Sequence, residues 1–283
     1  MKCYGTVSSR GGYLTMSIIT KITVQKKNTS RYNIYMDKGN GEEYAFAVYE
    51  ETLLKFQLGK GKELDELDVE EIILSDQVSK AYQAAINYLS YRMRSKKEIS
   101  QYLREKEIEP FVVTEILTKL ENQGYLNDLQ FALAYVRTQV NTTLKGPDVI
   151  VQELYEKGIN QLIIDEALLE YPFEKELEHA MKLIKKAESK YKKDSFQIKK
   201  QKIEMALKRK GYRFSTIQQA WNEMNVENDV DEEMESLKVQ ADKLKRKYSA
   251  YSGYEYTMKI KSALYRKGFP IELIDRYLEG EEE

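Results

Sequence analysis

Apolar side chains recur every three to four residues from about Gln77 to the end of the chain, the spacing of one face of an α-helix. In the stretch 154–168, for example, Ile164, Ala167 and Leu168 fall on one such face. Short polar or glycine-containing turns separate these patterns. The sequence therefore predicts that this part of the chain consists of amphipathic helices joined by turns.

Four stretches of the helical part align with one another without a gap. Their first residues lie 51, 53 and 57 positions apart, and they read LREKEIEPFVVTEIL (103–117), LYEKGINQLIIDEAL (154–168), LKRKGYRFSTIQQAW (207–221) and LYRKGFPIELIDRYL (264–278). Self-similarity at such a period indicates one supersecondary unit that is repeated. A long amphipathic helix precedes each stretch, so each unit has three helices, which can close a small core.

A glycine occupies the same column in three of the four stretches, at Gly158, Gly211 and Gly268. Glycine adopts the left-handed conformation that ends a helix at little cost. The sequence thus predicts a helix, a tight turn and a second helix in each stretch. The first stretch has Glu107 in this column, so we expect a looser cap there or a helix that continues.

Residues 17–49 follow a different pattern. Ile18, Thr20, Ile22 and Val24 alternate with a second set of side chains, as in a half-buried strand. Two more segments rich in aromatic and β-branched residues (31–36 and 43–49) flank a glycine-rich turn, which predicts a small antiparallel sheet. Such a sheet is marginal alone, so we expect it to pack on residues 51–57 and 69–74.

The predicted fold is therefore mainly α: an elongated tandem array of four three-helix repeats preceded by a small antiparallel β-region. Residues 1–15 are interpreted as a flexible leader ahead of a natural start at Met16. The predicted divisions after it are a β-region (16–75) and four repeats (76–126, 127–172, 173–227 and 228–283).

Composition narrows the class of protein. Charged residues make up 32% of the 283 residues, yet the net charge is −1, which argues against wholesale attraction to nucleic acid. No apolar run is long enough to span a bilayer, and the first residues lack the apolar core of a signal peptide. The single cysteine, Cys3, suits a reducing compartment. We therefore expect a cytoplasmic protein, monomeric and without membrane contact.

The residues usually needed for catalysis or metal binding are sparse. His179 is the only histidine, and Cys3 has no companion. The segment 59–62 (GKGK) lacks the spacing of a phosphate-binding loop, and 37–42 (DKGNGE) lacks the ligand pattern of a calcium loop. We therefore expect no enzyme activity, no cofactor and no metal.

Basic residues cluster between positions 181 and 211, a stretch that contains twelve Lys and Arg and only three acidic residues. Seven acidic residues follow between 223 and 235. The simplest interpretation of the basic cluster is a solvated helix face. The alternative is a patch that meets a phosphate backbone or an acidic protein surface. A helix-turn-helix reader of DNA is disfavoured, because the third helices carry Glu115, Asp165, Glu166 and Glu272.

Three segments resemble the RecX family: YLSYRMRSKKEI (88–99), LENQGYLND (120–128), and LKGP (144–147) with the ELYEKGI (153–159) that follows it. The resemblance covers roughly residues 77–280, and a fourth three-helix unit is consistent with a long form of the family. It implies a non-enzymatic regulator of the bacterial recombinase RecA. Such proteins dock in the groove of the RecA–DNA filament and restrain strand exchange and the SOS response.

Binding to DNA is also reported for the family, so single- or double-stranded DNA is a second candidate partner. The competing hypothesis is a DNA-binding helical module that affects recombination indirectly. In either case we expect the contacts on the concave side of the array. The candidate residues are Arg92, Arg94, Arg137, Lys145, Lys182, Lys185, Lys186, Lys199, Lys200, Lys208 and Arg209.

Overall fold

A computed structural model describes residues 16–226 and 228–280 of the chain. Their four strands are β1 (Ser17–Val24), β2 (Arg31–Asp37), β3 (Glu42–Tyr49) and β4 (Glu63–Leu64). The helices are α1 (Glu50–Lys55), α2 (Glu66–Leu89), α3 (Lys96–Glu105), α4 (Pro110–Asn122), α5 (Asp128–Thr142), α6 (Pro147–Glu156), α7 (Gln161–Leu168), α8 (Phe173–Lys190), α9 (Phe196–Arg209), α10 (Phe214–Met224), α11 (Val230–Lys247), α12 (Gly253–Arg266) and α13 (Ile271–Glu279).

The chain divides after Asn127 into two compact units. The predicted leader, 1–15, lies outside the described residues. The mainly α fold with tandem three-helix domains and a small sheet is confirmed, and no helix of the described part is long and apolar enough to cross a membrane.

The β-region of unit 1 forms an antiparallel sheet in the order β3-β2-β1-β4. Register shifts interrupt β1 between Ile19 and Lys21 and β3 opposite Tyr35. The face that contains Ile19 and Ile34 is buried against Ile72 of α2. Strand β4 was not predicted, because two residues are too few to show an alternating pattern.

Helix α2 begins at Glu66, eleven residues before the predicted start at Gln77. Asp65 and Asp68 form a capping box at its N-terminus, in which each side chain accepts from the other's backbone N–H. The helix runs through the predicted boundary between residues 75 and 76. Its first half packs on the sheet and its second half on α3 and α4, so one continuous helix serves both the β-region and repeat 1.

Each repeat has its own buried core. Repeat 1 uses the second half of α2 with α3 and α4. In unit 2, repeat 2 comprises α5–α7, repeat 3 comprises α8–α10 and repeat 4 comprises α11–α13. The leading leucine of each aligned stretch is at the centre of its core, at 0–1% exposure. The repeats are thus formed by short-range packing within roughly fifty residues.

The predicted helix caps are confirmed. Gly158, Gly211 and Gly268 have φ angles of 81°, 88° and 81°. In each turn the residue after the glycine donates its N–H to the carbonyl of the leading leucine, the bond of a Schellman cap. In repeat 1 Glu107 takes φ 60° and Ile108 makes the same bond to Leu103, at 3.2 Å. The expectation of a looser cap or a longer helix was therefore wrong, because the Schellman hydrogen bond is retained despite the side chain.

Candidate partner-binding surface

Arg92 and Arg94 lie in the loop between α2 and α3, which is in unit 1. Arg92 pairs with Glu98 at 2.8 Å, and this hydrogen bond raises the pKa of the guanidinium. Arg94 lies over the ring of Tyr88 at 3.9 Å, and Tyr88 stacks on Tyr102 at 4.0 Å. Arg92 is thus half-exposed and paired with Glu98, whereas Arg94 supports the local fold through its contact with Tyr88.

The other nine candidates lie in unit 2. In repeat 2, Arg137 makes a two-bond pair with Glu170, at 2.8 and 2.7 Å, which raises the pKa of Arg137 and lowers that of Glu170. Lys145 pairs with Glu153 at 2.5 Å. Both cations are therefore partly neutralised by carboxylates of their own repeat, and a partner would have to compete for them.

Helix α8 carries Lys182, Lys185 and Lys186 at the i, i+3 and i+4 spacing of one face. Lys182 shares Glu178 with Lys175, and the two lysines lower the pKa of Glu178 to about 2. Lys185 and Lys186 are exposed, and neither has an ion pair within the part of the chain that the structure describes. This face is the least neutralised part of the predicted basic cluster.

The candidate residues on helix α9 lie in different surroundings. Lys199 faces the buried carboxylate of Glu233, and Lys200 lies over the ring of Trp221 at 5.6 Å. Lys208 and Arg209 are exposed in the last turn of α9 and have no ion pair among residues 16–226 and 228–280. Lys208 and Arg209 therefore add unpaired positive charge to repeat 3. Their position is also favourable because the C-terminal end of a helix carries the negative end of its dipole.

Contacts between repeats use side chains that the sequence interpretation missed. Glu233 of α11 accepts the backbone N–H of Phe196 at 2.8 Å. Ser236 and Gln240, one and two turns further along, donate to the carbonyls of Lys192 and Lys193 at 2.9 and 2.6 Å. The acidic start of α11 therefore packs against the basic turn between α8 and α9. Part of the predicted basic cluster is thus an internal junction.

Glu233 lies in the first helix of repeat 4, and a carboxylate occupies a comparable position in the first helices of repeats 1 and 3. Asp76 accepts the N–H of Tyr49 at 2.6 Å and binds Arg31 at 3.0 Å, which joins the sheet to repeat 1. Glu176 is the counterpart of Glu233, 57 residues earlier, and it is bonded to Thr216. All three are buried, and burial raises the pKa of each. The 57-residue register could have revealed Glu176 and Glu233.

Repeats 2 and 3 meet through their turns. Gly146 donates its N–H to the carbonyl of Lys210 at 2.7 Å, and Asp148 donates to that of Gly211 at 3.1 Å. The hydroxyl of Tyr212 in repeat 3 donates to the carbonyl of Leu144 in repeat 2 at 3.2 Å, and within repeat 2 the hydroxyl of Tyr171 donates to the neighbouring carbonyl of Lys145, also at 3.2 Å. Burial raises the pKa of Tyr171 to about 12, so its hydroxyl remains a donor at neutral pH.

Within residues 16–226 and 228–280, no group of three or more His, Cys, Asp or Glu side chains could hold a metal ion. His179 is buried and its Nδ1 contacts the hydroxyl of Tyr171 at 3.1 Å. The described surface carries exposed cations on helix faces, such as Lys185 and Lys186 of α8. These features define a class: a helical repeat protein with a β-region at its start, built from modules that dock through their turns.

Comparison with known proteins identifies the family. The N-terminal domain of regulatory protein RecX matches residues 17–65, its first three-helix domain 81–120, and its second 127–168. Its third three-helix domain matches twice, at 174–221 and 231–278. The chain is 45% identical to "Regulatory protein RecX" of Bacillus cytotoxicus, over 93% of this chain and 98% of that protein. It is also 45% identical to "Regulatory protein RecX" of Bacillus mycoides, over 95% of this chain and 99% of that protein. The chain belongs to the RecX family.

Two solved structures are also similar. A crystal structure of regulatory protein RecX matches with a TM-score of 0.66 and 39% identity, over 73% of this chain and 99% of that one. RecX from Lactobacillus salivarius matches with a TM-score of 0.52 and 38% identity, over 53% and 98%. The double match of the third domain confirms that the chain has a fourth three-helix unit.

Proposed function

We propose that this protein is a non-enzymatic regulator that binds the RecA–DNA filament and inhibits RecA, which restrains homologous recombination and the SOS response in the bacterial cytoplasm. The relatives carry the name "Regulatory protein RecX". The observation that carries the proposal is a series of similar helical modules whose free cations lie on helix faces, with no metal-binding cluster in the described residues. A filament presents the same surface at regular intervals, so several modules can bind together and gain avidity.

The eleven candidate contact residues differ in exposure and in whether they are paired with carboxylates. Lys185, Lys186, Lys208 and Arg209 are exposed and have no ion pair within the described residues, so we propose them as the principal contacts in repeat 3. Arg92, Arg137, Lys145 and Lys182 are paired with carboxylates and are proposed as secondary contacts. Arg94, Lys199 and Lys200 each support local packing as well.

The test is inhibition of the DNA-dependent ATPase activity of RecA. A variant with Lys185, Lys186, Lys208 and Arg209 all changed to Glu should lose inhibition, because its charges would repel an acidic surface. A second variant, with Arg92, Arg94 and Lys145 changed to Glu, tests the remaining loops. Circular dichroism must show unchanged helicity in both.

The matched control reverses Lys26 and Lys27, two exposed lysines in the turn between β1 and β2. It should inhibit RecA like the original protein, since it changes charge without touching the repeats. Full inhibition by the repeat 3 variant would remove those four residues from the site. Failure of the original protein to bind RecA filaments would contradict the function itself.

The unpaired lysines of α8 also favour a second candidate, a DNA-binding module that affects recombination indirectly. Such binding should occur without RecA and weaken steeply with salt, because each phosphate contact releases counterions. Affinity for single- and double-stranded DNA, measured at two salt concentrations without RecA, separates the two functions. Tight, salt-sensitive binding to DNA with no binding to DNA-free RecA would favour the second.

A further inference from the structure

The turn between the first and second helices of a repeat receives the following repeat at both junctions in unit 2. In repeat 3 this turn accepts hydrogen bonds from Ser236 and Gln240 and donates one to Glu233. The hydroxyl of Ser195, in the same turn, donates to the carbonyl of Lys267 at 2.6 Å. In repeat 2 the turn around Gly146 receives repeat 3 in the same way. The turn is therefore a receiving surface for a helix and a turn of another module.

Repeat 4 has the same turn, between α11 and α12. Repeats 3 and 4 keep one register, 57 residues apart, across this region. The residues that repeat 4 retains from the receiving surface of repeat 3 are Lys243 (for Lys186), Lys247 (for Lys190), Tyr248 (for Tyr191), Ser252 (for Ser195) and Lys259 (for Lys202). The main backbone difference is Gly253, with φ 58°, in place of Phe196.

This turn of repeat 4 is exposed within the part of the chain that the structure describes. Ser252 makes no side-chain cap bond, and residues 249–255 are all exposed. Tyr254, 80% exposed, replaces Gln197, and Tyr251, 41% exposed, replaces Asp194. The Nζ of Lys259 lies 4.2 Å from the centre of the Tyr251 ring. This turn therefore presents tyrosines, the residues that often anchor interfaces.

The internal junction indicates the chemistry of the occupant. The turn of repeat 3 receives the first turn of α11, which contains Asp231, Glu232 and Glu233. Glu233 faces Lys199 there. In repeat 4 Tyr256 replaces Lys199, but cations still flank the equivalent turn: Lys243 and Lys247 are retained, and Arg246 adds a third. Glu255 in this turn pairs with Lys259 at 3.3 Å, so the excess positive charge comes from Lys243, Arg246 and Lys247, and it is complementary to an acidic helix start.

We propose that residues 248–255 of repeat 4, with Lys243 and Lys247 beside them, bind the acidic first turn of an amphipathic helix from another protein. The tyrosines supply the apolar anchors, and the lysines select the negative charge. Among the acidic helix starts of this chain, Glu176 and Glu233 are buried at their own junctions, and Asp68 in the first turn of α2 is engaged in the capping box with Asp65. A different protein is therefore the occupant.

This inference adds a docking surface to the proposed function and does not depend on it. The probe is a fluorescent, helix-stapled peptide with the sequence of residues 229–244, the segment whose acidic start occupies the equivalent surface of repeat 3. Its binding to the full-length chain is measured by fluorescence anisotropy in the absence of RecA. We expect saturable binding, weakened about tenfold or more by the double variant Tyr251→Ala, Tyr254→Ala.

Two controls define the site. Tyr265→Ala removes another exposed tyrosine, on α12 but outside the turn, and should leave binding unchanged. A peptide in which Asp231, Glu232 and Glu233 become Asn, Gln and Gln should bind at least several-fold more weakly, because it lacks the charge that the lysines select.

Absence of peptide binding, or equal binding by the double variant, would overturn the proposal. An oligothymidylate of about 20 nucleotides is the competing probe, because exposed tyrosines among lysines can also stack on bases. If the double variant lost binding to the oligonucleotide and kept binding to the peptide, the surface would be one for nucleic acid instead. Loss of peptide binding with unchanged binding to the oligonucleotide supports the helix-docking surface.

Discussion

The backbone of Gly146, which caps the start of α6, lies directly against the backbone of Gly211 in the turn between α9 and α10. A Cβ atom at position 146 would lie 2.3 Å from the carbonyl carbon of Gly211. A Cβ at 211 would lie 2.5 Å from the amide nitrogen of Val149. Real Cβ atoms do not approach backbone atoms this closely, so the contact between repeats 2 and 3 depends on both residues being glycine.

The variant Gly146→Ala should therefore loosen this junction. We expect a loss of about 1–3 kcal/mol in the free energy of unfolding, the range for inserting a methyl group where no space exists. Urea denaturation followed by circular dichroism and by the fluorescence of Trp221 measures it. The control is Gly59→Ala, since nothing lies within 4 Å of a Cβ there. Equal stability of the two variants would show that the backbones can separate without cost.

Glu107 provides the opposite test, because it holds a left-handed conformation that costs an L-residue roughly 1 kcal/mol. Glu107→Gly should therefore raise the free energy of unfolding by about that amount. The control Glu107→Ala removes the same charge but keeps a Cβ at φ 60°, so it should give little gain. Thermal denaturation of the three proteins decides. A gain of equal size in both variants would assign the effect to charge.

These caps also show what the sequence could predict. A glycine column, a leading leucine and the apolar residue after the glycine are local signals, and the turn forms wherever they occur together. The order of helices and turns in unit 2 follows from the same local pattern. The start of α2 was missed although Asp65 and Asp68 are a capping signal, because residues 66–75 were interpreted as part of the β-region, on which the first half of α2 packs.

Contacts between repeats could not be predicted in the same way. Gly146 and Gly211 are 65 residues apart in the sequence, and nothing near either one specifies the other. Within repeat 2, the pair of Arg137 with Glu170 also joins residues far apart in the sequence, and it depends on how α5 and the turn after α7 meet. The sequence therefore identified cations but could not tell which ones are neutralised within the fold. The comparisons confirm the family, whereas the contacts with RecA remain a prediction.

The buried carboxylates Glu176 and Glu233 should respond differently to neutralisation. Glu233 accepts the N–H of Phe196, but the residue at that place in repeat 2 is Pro147, which has no N–H. One oxygen of Glu176 is accordingly buried without a hydrogen-bond partner. Glu233→Gln should cost roughly 1–2 kcal/mol through a weakened charge-assisted bond, whereas Glu176→Gln should be near neutral at pH 7.

The raised pKa of Glu176 also predicts how the stability of the fold changes with pH. Because burial raises the pKa of Glu176 above 4.5, the folded state binds more protons than the unfolded state between 4.5 and that pKa. Stability from this group is present below pH 4.5 and is lost as pH rises through the window. Urea midpoints at several pH values measure this, and Glu176→Gln should remove that part of the dependence. A larger loss at position 176 than at 233 would contradict the role of Pro147.

His179 should act in the opposite direction. Its burial, with Lys175 nearby, lowers the pKa below 6.5, so the folded state favours the neutral ring. The unfolded state then binds more protons below 6.5, and stability falls as pH falls through that window. His179→Asn keeps a side chain that can hydrogen-bond with the hydroxyl of Tyr171 and cannot titrate. It should flatten the change in urea midpoint between about pH 7.5 and about pH 5.5. An unchanged slope would assign it to other groups.

Arg94 stabilises repeat 1 through its position over Tyr88, which is itself stacked on Tyr102. Arg94→Ala should lower the free energy of unfolding by about 1 kcal/mol, the size of a partly shielded cation–π contact with its packing. Arg92→Ala is the matched control, because its pair with Glu98 is solvent-exposed and such pairs contribute about 0–1 kcal/mol. Chemical denaturation of the two variants, followed by RecA inhibition at a temperature where both are folded, separates stability from binding. If Arg94→Ala is as stable as the original protein but inhibits RecA poorly, Arg94 contacts the partner directly. If it is less stable and inhibits normally, its main role is to hold the loop in which Arg92 is presented.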